Sequence, residues 1–136
     1  MTAVVDASVA IKWVFEEEGS GAARRLVLDE LLVAPDLLFV ECANVLRSKV
    51  RERALPPEQA RQALLTIDAT PIRTAPTRRH ASAAYAIAVE IGSSAYDALY
   101  LAVALAERAQ MVTADVRFAR LAMAHPIYAD WVRPLG

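Results

Sequence analysis

Short apolar runs along this chain pass directly into helix signals, and four acidic residues, Asp6, Glu41, Asp97 and Asp115, stand where a run meets a helix. This alternation constrains the fold more than any other feature, because strands joined through helices pair in parallel and need apolar cover on both faces. The expected class is therefore α/β, with a central parallel sheet of about five short strands. Acids placed at one edge of such a sheet can converge although tens of residues separate them in sequence. Clustered carboxylates repel unless they take up protons or share divalent cations.

The chain opens with Thr2 to Val5 as a β-branched strand, and Asp6-Ala7-Ser8 supplies N-cap chemistry for a helix carrying Val9, Trp13 and Val14. Glu16 to Gly21 reads as a loop, Ala22 to Glu30 as a helix and Leu31 to Ala34 as a second strand. Pro35 suits the first turn of the next helix, where Leu38, Cys42, Val45 and Lys49 form one stripe and Glu41, Asn44 and Ser48 a polar strip beside it. Pro56 and Pro57 open a helix with Ala60, Leu64 and Ile67. Pro71 to Ala75 reads as an edge strand, and a further helix runs from near Pro76 to about Val89. Ser94 and Asp97 form an S-x-x-D capping pattern before Ala98 to Ala106, a segment so apolar that its helix is expected at the centre of the molecule. Gln110 to Thr113 is the next strand, Ala114 to Ala124 a helix, and Pro126 to Tyr128 the last strand expected.

With 136 residues, 56% of them hydrophobic, the chain suits a single domain spanning 1–136 with a core on both sides of its sheet. The net charge of -1 argues against a uniformly basic nucleic-acid binder. Local groups of cations remain: Arg47, Lys49, Arg51 and Arg53; Arg78 with Arg79; and Lys12, Arg117 and Arg120 near the acids in sequence. Solvated helix surface is the plain account of each, and only a face shared with the carboxylates would make them phosphate contacts. One cysteine, Cys42, excludes an intrachain disulfide framework and reads as a small buried apolar residue. A cytoplasmic location is expected by default. The segment before Asp6 lacks a basic leader, and the uncharged stretch from Ala81 to Val89 is too short to span a bilayer.

Ligands of open parallel sheets collect beyond the carboxyl ends of the strands, where Asp6 and Asp115 are placed. Glu41 and Asp97 join them if their helices flank the same edge. Four carboxylates so placed favour hard cations such as Mg2+ or Mn2+, which can activate a water and stabilise the leaving oxygen of a phosphodiester. Each acid also has a structural role open to it: Asp6, Asp97 and Asp115 suit helix N-termini. Glu41 is harder to explain that way, since an unpaired carboxylate in an apolar helix segment is costly to bury. Ser8, Thr113 and Asn44 are candidate supporting residues that orient the acids, with Ser48 more simply a surface residue. His80 and His125 lack metal-site spacing or a coupled nucleophile, and no Walker or dinucleotide glycine motif is present. Trp13, Phe15, Phe39 and Tyr100 read as packing residues.

Four segments, V-V-D-A-S-V-A-I-K-W from Val4, P-D-L-L-F-V-E-C-A-N-V-L from Pro35, S-A-Y-D-A-L-Y-L-A-V-A from Ser94 and V-T-A-D-V-R-F from Val112, together resemble the PIN-domain family and look most like VapC toxins. The resemblance covers essentially the whole chain in order and spacing. It implies a three-layer α/β/α fold and a magnesium- or manganese-dependent ribonuclease site at Asp6, Glu41, Asp97 and Asp115. It also implies an RNA substrate, a homodimer and a cognate VapB-like antitoxin that forms a toxin–antitoxin hetero-oligomer. Two other classes fit the acids: a small aspartate-dependent phosphatase, whose D-x-D start is missing here, and a nonenzymatic receiver-like or antitoxin-binding module.

Overall fold

The computed structural model describes residues 1–136. Its five strands, β1 (Thr2–Val5), β2 (Leu31–Pro35), β3 (Ile72–Ala75), β4 (Gln110–Thr113) and β5 (Val132–Pro134), form one sheet in the order β3-β2-β1-β4-β5. Every pairing is parallel, with Val4 opposite Val33 on β2 and Met111 on β4. Seven helices connect and cover the strands: α1 (Ala7–Val14), α2 (Ser20–Asp29), α3 (Leu38–Arg51), α4 (Pro57–Ala69), α5 (Thr77–Ile91), α6 (Ala95–Glu107) and α7 (Val116–Met123).

The period-two alternation of the strands divides the core into two layers. Val4, Val33, Met111 and Val132 face the larger layer, which α6 fills from Ala98 to Ala104. Ala3, Val5, Leu32 and Val112 face the other, smaller layer, with Val9 of α1 and Ala23 and Leu26 of α2. This is the three-layer α/β/α arrangement. α6 lies across β1, β2 and β4, and its apolar character on every side follows from contact with the sheet below and α5 beside it. Trp13, Phe15 and Phe39 pack against the larger layer, and Cys42 is fully buried there. Burial pushes the Cys42 thiol up to about 12, which keeps it protonated and unreactive. No single helix is long and apolar enough to cross a membrane.

Two sequence expectations need correction. Pro35 is the last residue of β2, not the first turn of a helix, and α3 begins at Leu38 after the turn at Asp36. A proline is tolerated there because it is the last residue of the strand, and the Asp36 amide that follows it donates to the Ala75 carbonyl of β3 at 2.9 Å. The last strand is Val132–Pro134 and not Pro126 to Tyr128. Around Pro126 the chain turns back on itself: the His125 carbonyl accepts from the Tyr128 and Ala129 amides, its Nδ1 accepts from the Ile127 amide, and a 3-10 turn at Ala129–Trp131 then leads into β5. Smaller shifts occur at α2, which starts at Ser20 inside the expected loop, and at α7, which starts two residues after Ala114.

Candidate active site

The sheet order places a topological switch point between β1 and β4, since the chain leaves β1 toward β2 and later returns on the opposite side. Asp6 follows β1 directly and Asp115 follows β4 by two residues, so both carboxylates stand at this crevice as the N-caps of α1 and α7. Glu41 in the first turn of α3 and Asp97 in the first turn of α6 face the same cavity, which measures about 470 Å³. Ser8 and Asn44 also line it. The structure thus brings together all four acids and two of the three supporting residues, with Thr113 directly behind them. Ser48 lies outside the lining.

Asp6 is only 8% exposed and is held by three donors. Its Oδ1 accepts from the Ser8 hydroxyl at 2.5 Å and the Val9 amide at 3.3 Å, and its Oδ2 accepts from the Thr113 hydroxyl at 2.5 Å. Thr113 Oγ1 in turn accepts the Asp115 amide at 3.0 Å, and Ser8 Oγ accepts the Ala114 amide at 2.9 Å. These bonds latch the end of β1 to the end of β4 and fix the spacing of Asp6 and Asp115. Asp115 caps its own helix by accepting the Phe118 amide at 3.0 Å. Desolvation pushes the Asp6 carboxyl up to about 6; the Ser8, Thr113 and Val9 bonds oppose that rise, and the nearby Asp115 charge adds to it.

Glu41 accepts a short hydrogen bond from the Tyr100 hydroxyl. Partial burial raises its carboxyl above the ordinary range, Tyr100 opposes that shift, and the Asp97 charge reinforces it. Asp97 is raised for the same reason, burial, with the Asp115 charge adding; Ser94 and the Arg117 guanidinium pull the other way. The Ser94 hydroxyl accepts the Asp97 amide at 3.1 Å, as the capping pattern predicts. Burial and the Glu41 partner both raise the Tyr100 phenol far above its ordinary value, so it remains a donor at every working pH.

Sequence reasoning missed two contributors. Tyr100 was expected to pack, and it does so while directing its hydroxyl at Glu41; its place one turn beyond Asp97 on the same helix was the available signal. The second contributor is Asp36, which precedes α3. Its carboxylate accepts from the Thr77 hydroxyl at 2.5 Å and amide at 3.1 Å, and those bonds hold it below the usual range. Thr77 Oγ1 also accepts the Leu37 amide at 3.2 Å, so this pair anchors the entry to α3 and with it Glu41. Of the cations, Lys12 and Lys49 are engaged with Glu17, while Arg117 is the one whose charge reaches Asp97. His125 pairs with Glu90 outside the cavity.

Burial is the main cause that raises three of the carboxyl groups in this crevice, with the charge of a neighbouring acid adding in each case, and the donor set, all oxygen, suits a hard divalent cation. No three of the side chains already form a closed cation cage. The arrangement is a shared crevice in which acids from four elements face one volume. The largest concavity, about 740 Å³ at the opposite edge of the sheet near Met1, Leu28 and Leu31, is lined mainly by strand and helix ends and lacks such convergence.

A family model for the PIN domain matches residues 3–123. The chain belongs to the PIN-domain family. It is 37% identical over 116 residues to a VapC ribonuclease of Mycobacterium bovis, a match covering 84% of this chain and 86% of that protein. The figures are the same for ribonuclease VapC9 of Mycobacterium tuberculosis. Solved structures share the fold. PAE2754 from Pyrobaculum aerophilum superposes with a TM-score of 0.70 at 22% identity, over 89% of this chain and 79% of that one. VapBC2 of Rickettsia felis, bound to a promoter DNA fragment, gives 0.66 at 12% identity over the whole of both chains. The sarcin-ricin-loop-cleaving toxin VapC20 of Mycobacterium tuberculosis gives 0.65 at 20% identity, over 87% of this chain and 93% of that toxin. The sequence-based resemblance and the α/β/α fold are both borne out.

Proposed function

We propose that this PIN-domain protein is a metal-dependent endoribonuclease, the toxin of a VapBC-type toxin–antitoxin pair acting in the cytoplasm. The observation that carries the reading is the convergence of Asp6, Glu41, Asp97 and Asp115 at the β1–β4 switch point, in a chain 37% identical to named VapC ribonucleases. The four acids would hold magnesium or manganese, which supplies an activated water and charge stabilisation for the departing oxygen of an RNA phosphodiester.

The chain's own residues set the geometry for that chemistry. Ser8, Thr113 and the Val9 amide fix both oxygens of Asp6, leaving little freedom to rotate away from the crevice. Tyr100 orients Glu41 through its hydroxyl, and the exposed Asn44 in the lining offers an amide for a substrate oxygen. Arg117 is the cation at hand to meet phosphate beside Asp97. RNA reaches such an open crevice best as a single strand or loop, because the narrow major groove of an A-form helix excludes side chains. A VapB-like antitoxin that covers the acids, and a homodimer that joins the pair into a hetero-oligomer, complete the reading; the likeness to VapBC2 supports the first.

The test is incubation of total cellular RNA with purified, antitoxin-free protein in magnesium or manganese and in EDTA, with Asp6→Asn as the contamination control. Discrete fragments that need both the metal and Asp6 are expected. Cleavage that survives EDTA or the substitution would remove the carboxylate site from the proposal, and no cleavage on any RNA would favour a nonenzymatic binding module.

A further inference from the structure

Three large apolar side chains stand exposed beside the acids of the crevice. Val40 precedes Glu41 and is 67% exposed, Tyr96 precedes Asp97 and is 65% exposed, and Val116 follows Asp115 and is 64% exposed. Val40 and Tyr96 line the cavity itself. Scattered apolar residues on a surface need no explanation, but a cavity built only to hold a cation and a phosphate has no use for an apolar mouth. Helix geometry accounts for two of these placements: in the first turns of α3 and α6 the acid faces the crevice and the residue before it is turned about 100° toward the rim, while Val116 opens α7 directly after its N-cap Asp115. The mouth of the acidic cavity therefore carries two exposed apolar side chains, Val40 and the aromatic Tyr96, with Val116 close by in the chain but outside the lining.

We infer that Tyr96 is a nucleobase-stacking residue, placing a base of single-stranded RNA at the crevice mouth so that the adjoining phosphate lies over the carboxylates. The inference rests on the ribonuclease reading above. A nucleotide is a flat apolar base joined to an anion, and the rim matches both parts. Tyr96 and Val40 offer apolar surface, while the exposed Arg117 offers a cation that takes part in none of the ion pairs within the chain. Stacking on a tyrosine tolerates any base, since every base presents a π-face, and aromatic side chains are the common platform for unpaired bases. Tyr96 is thus a specificity residue for an unpaired nucleotide over a paired one.

The experiment measures binding of fluorescein-labelled single-stranded oligoribonucleotides, one set with bases and one of the same length with abasic riboses. The full-length protein is used, in EDTA and again with calcium, so that the readout does not depend on turnover. A 2-aminopurine placed along the base-bearing strand reports stacking by quenching. Wild type and Tyr96→Phe are expected to prefer base-bearing RNA by about tenfold and to quench the probe. Tyr96→Ser, and Tyr96→Leu as a second variant of greater bulk, lose the quench; the serine variant also loses the preference, with abasic binding unchanged. A serine variant that keeps both overturns the inference while leaving the ribonuclease reading intact. Failure of wild type to bind or cleave any RNA would instead count against the ribonuclease reading itself.

Discussion

Asp6 is the residue on which the most physical chemistry converges. Its carboxyl is raised from an ordinary 3.8 to about 6 because desolvation outweighs three hydrogen bonds. The folded state therefore holds this proton more tightly than the unfolded chain. The associated stability is fully present below pH 3.8 and is lost as pH rises through about 6. In metal-free protein, wild type is expected to lose about 3 kcal/mol relative to Asp6→Asn across that window, a difference read from denaturant melts at a series of pH values. Parallel pH profiles for the two proteins would show that Asp6 is not desolvated as described. Tyr100 allows a second test at this scale. Tyr100→Phe keeps the buried ring and removes only the donor to Glu41, so RNA cleavage is expected to fall by about 10- to 100-fold with the fold unchanged. Full activity in that variant would reduce Tyr100 to packing.

Among the elements, the strand ends decide the site. Thr113 both donates to Asp6 and accepts from the Asp115 amide, so one hydroxyl ties β1, β4 and the start of α7 together. Thr113→Val is nearly the same shape but breaks both bonds in a buried position, and it is expected to cost about 1 to 3 kcal/mol in chemical unfolding. An unchanged midpoint would mean that the latch adds nothing to stability. The helices carrying the acids were legible because caps and periodicity are local: Ser94 before Asp97, and Asp6 before α1, act within one turn of their own chain. β5 was not legible. Val132–Pro134 is only three residues long and ends in proline, and it exists as a strand through its pairing with β4. The Asp36–Thr77 pair was equally hidden, since it joins residues 41 positions apart at the junctions of two different strands and helices.

At the scale of the whole molecule, the crevice is a local concentration of negative charge held by a rigid apolar frame. A cation that binds the folded state alone adds stability by mass action, about 2.7 kcal/mol at a hundredfold excess over its Kd. For a chain of this size, that corresponds to a rise in Tm of roughly 10 °C. Magnesium or manganese added to metal-free protein is expected to produce such a rise in wild type and a much smaller one in Asp6→Asn, measured by thermal melting. Equal shifts in the two proteins would mean that the ion binds elsewhere. The frame itself rests on α6, where Leu101 is wholly buried against the sheet; Leu101→Ala is expected to cost about 2 to 5 kcal/mol through the cavity it leaves.

The sequence by itself determined the parallel α/β class, the places of the first four strands and the central helix, and it singled out the four acids of the candidate site. Those features depend on periodicity and capping, which act over a few neighbouring residues. Only the tertiary structure decided that β4 lies beside β1, and hence that Asp6 and Asp115 share a switch point that Glu41 and Asp97 enter from the flanking helices. Strand order depends on how two apolar layers close around the sheet, a property of the whole chain that no single segment encodes. The same closure gave Tyr100 its partner, aimed Asp36 at Thr77, and left Tyr96 at the mouth of the crevice.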